Sequence, residues 1–139
     1  MTEKDYSSTP LWKKLGIAEG SSVAVLGAPE HFGEVLGRLP DGARLRPRAG
    51  SREDVIVFFA TERSELERRF AWLMRRLDPK GGLWIAWPKK ASLIESDLSF
   101  EDVQGIGLDA GLVDNKSCAI DTDWQAVRFV YRLKDRPGK

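Results

Sequence analysis

The sequence is short of the groups that usually announce a chemistry. Among 139 residues there is one cysteine, Cys118, and one histidine, His31. A single thiol excludes an internal disulfide and supplies too few ligands for a structural zinc site, and one imidazole adds too little, so no metal is expected. No apolar run approaches the roughly 18 residues of a membrane span, and Met1-Thr2-Glu3-Lys4-Asp5 lacks the basic-then-apolar layout of an export signal. A membrane partner is therefore not expected, and the expected location is the cytoplasm. Internal repeats and low-complexity segments are missing too. No stretch has the residue types and spacing of a known reaction, so no catalytic residue is singled out.

What is present is enough for a core. With 42% hydrophobic residues, a chain of this length buries about two-thirds of its unfolded surface. We expect one α/β domain over residues 9 to 134, with a flexible segment at 1 to 8 and a flexible tail at 135 to 139. The net charge of +1 hides an asymmetry, because residues 95 to 123 carry eight Asp or Glu against Lys116 alone. Arg38, Arg44, Arg46, Arg48 and Arg52 crowd the basic part. The acidic segment can neutralise them within the fold or across a self-associated pair, so nucleic acid is not the expected partner.

The pattern alternates strands with helices. Ser8-Thr9-Pro10-Leu11-Trp12 offers a hydroxyl cap and a first-turn proline, which predicts a short leading helix. Val23 to Leu26 reads as a strand buried on both faces. After Gly27, Phe32, Val35, Leu36 and Leu39 keep helical spacing, which predicts a helix up to Pro40. Ala43 to Arg48 is a weaker, edge-like strand, and Asp54 to Ala60 a wholly apolar one. The clearest helix opens at Thr61 or at the capping box Ser64-x-x-Glu67 and carries Leu66, Phe70, Leu73, Met74 and Leu77, ending at Asp78-Pro79-Lys80-Gly81-Gly82. Leu83 to Trp87 is the next strand, and Ser99 caps a helix bearing Phe100, Val103 and Ile106 up to Gly111. Val113 to Ile120 and Gln125 to Leu133 are joined by only four residues. That is too few for a parallel crossover, so they form an antiparallel hairpin.

The fold class is thus α/β: a mostly parallel sheet with helices on both faces and a C-terminal antiparallel hairpin. This order, with Leu77-Asp78-Pro79-Lys80-Gly81-Gly82-Leu83-Trp84-Ile85, resembles a shortened Rossmann-like methyltransferase. Three further passages, Thr9 to Ile17, Ala86 to Lys90 and Gly111 to Asp121, resemble a family of short bacterial proteins catalogued as a domain of unknown function. That second resemblance implies no chemistry and transfers no site residue.

Candidate sites therefore rest on the residues themselves. In an open α/β sheet, ligands bind beyond the carboxyl ends of the strands, where Gly27 to His31, Thr61 to Ser64 and Lys89 to Ser92 emerge. The Gly27 turn is poorly made for phosphate: Pro29 removes an amide donor, Glu30 repels, and Arg46-Pro47-Arg48 ends the next strand without an acid for a ribose. Lys89 and Lys90 follow a buried strand and suit an anion. Lys13 and Lys14 make a similar pair. His31 lies near a helix start and reads as a capping or surface residue. Cys118 reads as a small buried residue, with Lys116 two positions away to lower its pKa. Asp114, Asn115, Lys116, Asp121 and Asp123 read as turn chemistry before a cation site.

The expectation is a non-enzymatic protein that binds a partner protein or a small anion at the carboxyl edge through Lys89, Lys90, His31 and Thr61, without a cofactor. Two alternatives stand beside it. One is a divergent S-adenosylmethionine-dependent methyltransferase, the single case that brings a cofactor. The other is a self-associating structural protein, a homo-oligomer built on the hairpin.

Overall fold

A computed structural model of the chain describes residues 9–135. The expected flexible segment at 1 to 8, and the tail beyond Asp135, lie outside the described residues. The elements are α1 (Leu11–Lys14), β1 (Ser22–Leu26), α2 (Phe32–Leu36), β2 (Arg44–Arg46), β3 (Glu53–Phe59), α3 (Arg63–Arg76), β4 (Leu77–Pro88), α4 (Phe100–Asp109), β5 (Leu112–Ala119) and β6 (Trp124–Tyr131), with a terminal 3-10 turn at Leu133–Asp135. The six strands form one sheet in the order β2-β1-β3-β4-β6-β5. β2, β1, β3 and β4 run parallel, while β6 is antiparallel to both β4 and β5. No helix among the described residues is long and apolar enough to cross a membrane.

Strand periodicity sorts the core into two layers. One face of the sheet carries Val23, Val25, Val55, Val57, Phe59 and Trp84, covered by Leu11 and Leu15 of the α1 region and by Phe32 and Leu36 of α2. The other carries Ile56, Phe58, Leu83, Ile85, Trp87 and Phe129, covered by Leu66, Phe70 and Leu73 of α3 and Val103 of α4. The central runs Val23 to Leu26, Val55 to Phe59 and Leu83 to Trp87 are therefore apolar at every position, the pattern of a sheet buried on both sides. The indole N–H of Trp84 would be an unpaired donor at this depth, and it donates to the Leu15 carbonyl at 2.9 Å.

Four local expectations change. The helix after Gly27 stops at Leu36, well before Pro40, because Gly37 takes φ +89°, a left-handed conformation that ends a helix. α3 uses neither Thr61 nor the Ser64-x-x-Glu67 box. Its N-cap is Glu62 without a side-chain bond, and the orphan amide of Arg63 is satisfied instead by Asp97 Oδ1 at 2.7 Å, from a distant loop. β4 begins at Leu77, directly after α3, and the Asp78–Gly81 passage bulges within it: Glu53 pairs with Leu77, yet Val55 pairs with Gly82. A side chain at Gly82 would strike the Arg128 guanidinium, so glycine lets that arginine lie across β4. Finally, the alternation of Val127, Phe129, Tyr131 and Leu133 predicts one apolar face for the last strand, whereas β6 is interior, between β4 and β5, and its second face is buried too at Ala126 and Val130. Ser99 caps α4 as expected, and Asp102 completes a capping box with it.

At the amino edge of the sheet, Glu53 is fully buried. Its carboxylate accepts hydrogen bonds from Ser22 Oγ at 2.7 Å, from the Gly50 amide and from Arg46 Nη2, which also bonds Ser22. Burial pushes this carboxyl up, but those donors and the arginine's charge together outweigh it and hold Glu53 below its ordinary value. Arg52 pairs likewise with Asp78 at 2.8 Å. Arg46 and Arg52 are thus neutralised within the chain by Glu53 and Asp78, not by the acidic segment at 95 to 123.

Candidate functional site at the carboxyl edge

The turn after β1 is shaped by one glycine. Gly27 has φ +74°, and a Cβ there would sit 3.0 Å from the Phe59 carbonyl oxygen, so the turn is held tightly against the end of β3. Beside it the edge is stitched shut on the α2 face. Phe32, Phe59 and Trp124 stack edge to face with centroids 5.1 and 5.0 Å apart. Above them, His31 Nε2 meets Asp121 Oδ2 at 3.0 Å, joining the β1 turn to the hairpin turn. Asp121 Oδ1 accepts from the amides of Asp123 and Trp124. Burial raises the Asp121 carboxyl, and the His31 bond with these two amides more than reverses that, leaving it lowered. His31 thus makes no capping bond; it is one half of a hydrogen-bonded strap with Asp121.

The α3–α4 face of the same edge is open. A cavity of about 940 Å³ is lined by Thr61, Glu62, Ser64, Glu95, Ser96 and Asp97 among others. Its walls are tied together, because Ser96 Oγ donates to the Thr61 carbonyl at 2.7 Å and the Asp97 amide donates to the same oxygen at 3.2 Å. Asp97 is engaged with the α3 N-terminus, while the Glu62 and Glu95 side chains have no hydrogen bond or ion pair among the described residues. The neighbouring cation, Arg63, is committed to Glu67 and Asp102 at 3.1 and 3.2 Å. The cavity is therefore acidic and hydroxyl-lined.

Lys89 and Lys90 lie next door. They line a second cavity of about 330 Å³, walled by Trp87, Ile94, Leu98 and Phe100. Ile94 and Ser96 belong to both cavities, so the two adjoin. The Lys89 amide donates to the Asp123 carbonyl at 2.7 Å and Ser92 Oγ bonds Asp123 Oδ1 at 3.0 Å, which fixes this loop to the hairpin turn. Of the expected site residues, Thr61 lines the acidic cavity, the two lysines line the second, and His31 lies in the closed strap.

Cys118 is half-buried and its thiol is pushed up by burial, opposed by the charge of Lys14; the expected influence of Lys116 is not the one that acts. Among the described residues, no group of three or more His, Cys, Asp or Glu is placed to hold a metal ion. The sequence reading passed over Glu62, Glu95 and Asp97. Two signals pointed to them: Glu62 lies within the Thr61–Ser64 stretch expected at this edge, and the acidic excess begins at residue 95.

No protein-family model and no curated protein matches the sequence. Solved structures do match. A S-adenosylmethionine-dependent methyltransferase from Aquifex aeolicus superposes with a TM-score of 0.60 at 16% identity, over 90% of this chain and 88% of that one. A TehB-like S-adenosylmethionine-dependent methyltransferase from Corynebacterium glutamicum gives 0.57 at 13% identity, over 87% and 85%. Magnesium protoporphyrin IX methyltransferase from Synechocystis, with bound S-adenosylhomocysteine, gives 0.56 at 11% identity, over 82% and 75%. These similarities correct the expectation of a non-enzymatic binder of a partner or small anion, since they favour the methyltransferase alternative. The chain has a Rossmann-like methyltransferase fold: a six-stranded, mostly parallel sheet, closed by an antiparallel C-terminal pair and flanked by helices.

Proposed function

We propose that the chain binds S-adenosylmethionine at the carboxyl edge of its sheet and acts as a small methyltransferase. The observation that carries this reading is the acidic, hydroxyl-lined cavity formed where the segment after β3, Thr61 to Ser64, meets the loop after β4. S-adenosylmethionine has no phosphate, so the amide lost at Pro29 does not count against it. It carries a net positive charge and a ribose diol, for which carboxylates and hydroxyls are the complementary groups.

When bound, this cofactor supplies a methyl group on a sulfonium as the electrophile. The chain's part is positioning and charge. Glu62 and Glu95 would offset the positive charge, while Thr61, Ser64 and Asp97 would take the ribose hydroxyls, a role for which the end of β2 offers no acid. The Arg46 guanidinium turns away to Ser22 and Glu53 at the amino edge, so it does not oppose a cation at the carboxyl edge.

Calorimetry on the intact chain tests the reading. S-adenosylmethionine should bind, and more tightly than the uncharged thioether S-adenosylhomocysteine, while ATP should give no heat. Absence of binding at millimolar S-adenosylmethionine would remove this function.

A further inference from the structure

We propose that the second cavity is the acceptor subsite, and that the acceptor is a small aromatic molecule carrying an acidic group. This rests on the reading above and specifies its substrate class. The cavity differs from its neighbour in carrying two lysines and two aromatic side chains. Part of its wall is apolar, with Trp87 near the end of β4 on one side and Phe100 opening α4 on another, and Leu98 and Ile94 between. Phe100 and Ile94 remain 42% and 37% exposed, so apolar surface is left uncovered where the cavity opens. A planar ring is the ligand shape that covers such walls.

Charge supplies the second half of the argument. Lys89 and Lys90 lie on the cavity lining and neither makes a salt bridge with any described residue, so two ammonium groups are available to a carboxylate. Glu101, the lining carboxylate, can accept a hydrogen bond from a ring hydroxyl or amine. A volume of about 330 Å³ is of the size that holds one substituted ring. The wall shared through Ile94 and Ser96 places such a ring beside the acidic cavity. The lysines are not on a loose loop either, because the Lys89 amide and Ser92 are anchored to Asp123. A cationic donor and an anionic acceptor would thus meet across one wall, each facing the charge that complements it.

Titration calorimetry of the intact chain with 4-hydroxybenzoate, phenol and benzamidine reads the proposal directly. 4-Hydroxybenzoate should bind about tenfold more tightly than phenol, as a charge-assisted contact to a carboxylate requires, and benzamidine should not bind. Lys89→Ala/Lys90→Ala should bring 4-hydroxybenzoate and phenol within about twofold of each other, and Phe100→Ala should weaken both, with unchanged thermal unfolding because all three side chains are at least partly exposed. No binding of either ring, a preference for benzamidine, or a carboxylate preference that survives loss of both lysines would overturn the inference. Binding of S-adenosylmethionine without any ring compound defeats this subsite alone. Ring binding without S-adenosylmethionine defeats the function proposed first.

Discussion

The two edges of the sheet hold similar residue types in opposite conditions. At the amino edge, Glu53 is fully buried and accepts from Ser22, Gly50 and Arg46, and Asp78 is paired with Arg52. At the open part of the carboxyl edge, Glu62 and Glu95 are exposed around a cavity and have no partner among the described residues. A buried carboxylate must have its donors, or folding loses far more than it gains; an exposed one need not, and its charge stays available to a ligand. The difference separates carboxylates that hold the fold from those that can serve a function. The closed part of the carboxyl edge, with its His31–Asp121 pair, belongs with the first group.

Breaking the amino edge should therefore produce the largest change in stability. Glu53→Gln removes a charge-assisted network at a fully buried position and should cost about 3 kcal/mol in chemical denaturation. The pH dependence follows from the lowered Glu53 pKa. Its ionised form is favoured in the folded state, so its contribution is complete above the ordinary carboxyl value and disappears as pH falls through the lower, folded value. Glu53→Gln should flatten that part of the acid limb, as followed by melting temperature between about pH 5 and pH 2.

The turn at the carboxyl edge comes next. Gly27→Ala places a side chain at φ +74°, close to the Phe59 carbonyl, and should cost about 1–2 kcal/mol. It should also weaken S-adenosylmethionine, since the β1 turn cannot relax without moving the end of β3. Smallest in stability is the acidic cavity: Glu62→Gln/Glu95→Gln should leave unfolding within about 0.5 kcal/mol of the parent, as for other surface substitutions. Its effect should fall on ligand affinity alone. A double variant that loses stability and keeps affinity would erase the contrast between the edges.

Much of this architecture was legible in the residues. Runs such as Val55-Ile56-Val57-Phe58-Phe59 admit only a strand buried on both faces, and four residues between β5 and β6 admit only a hairpin. What escaped depends on partners remote in the chain. Asp97 caps α3 from 34 residues away, and His31 finds Asp121 across 90. No local pattern encodes such contacts. The same holds for the site: Lys89 and Lys90 were conspicuous because they are adjacent and follow a strand, whereas Glu62, Glu95 and Asp97 become one surface only when the loop after β4 folds back onto Thr61. Charge read along the chain therefore favoured an anion, and charge read across the cavity favours a cation.

Amide chemical shifts show whether this acidic cavity takes S-adenosylmethionine. Titrating labelled protein with S-adenosylmethionine should move the resonances of Thr61 to Ser64 and of Ser92 to Asp97 together with Gly27, leaving Ser22, Gly50 and Glu53 at the amino edge unmoved. Shifts confined to the amino edge, or none at saturating ligand, would contradict the account.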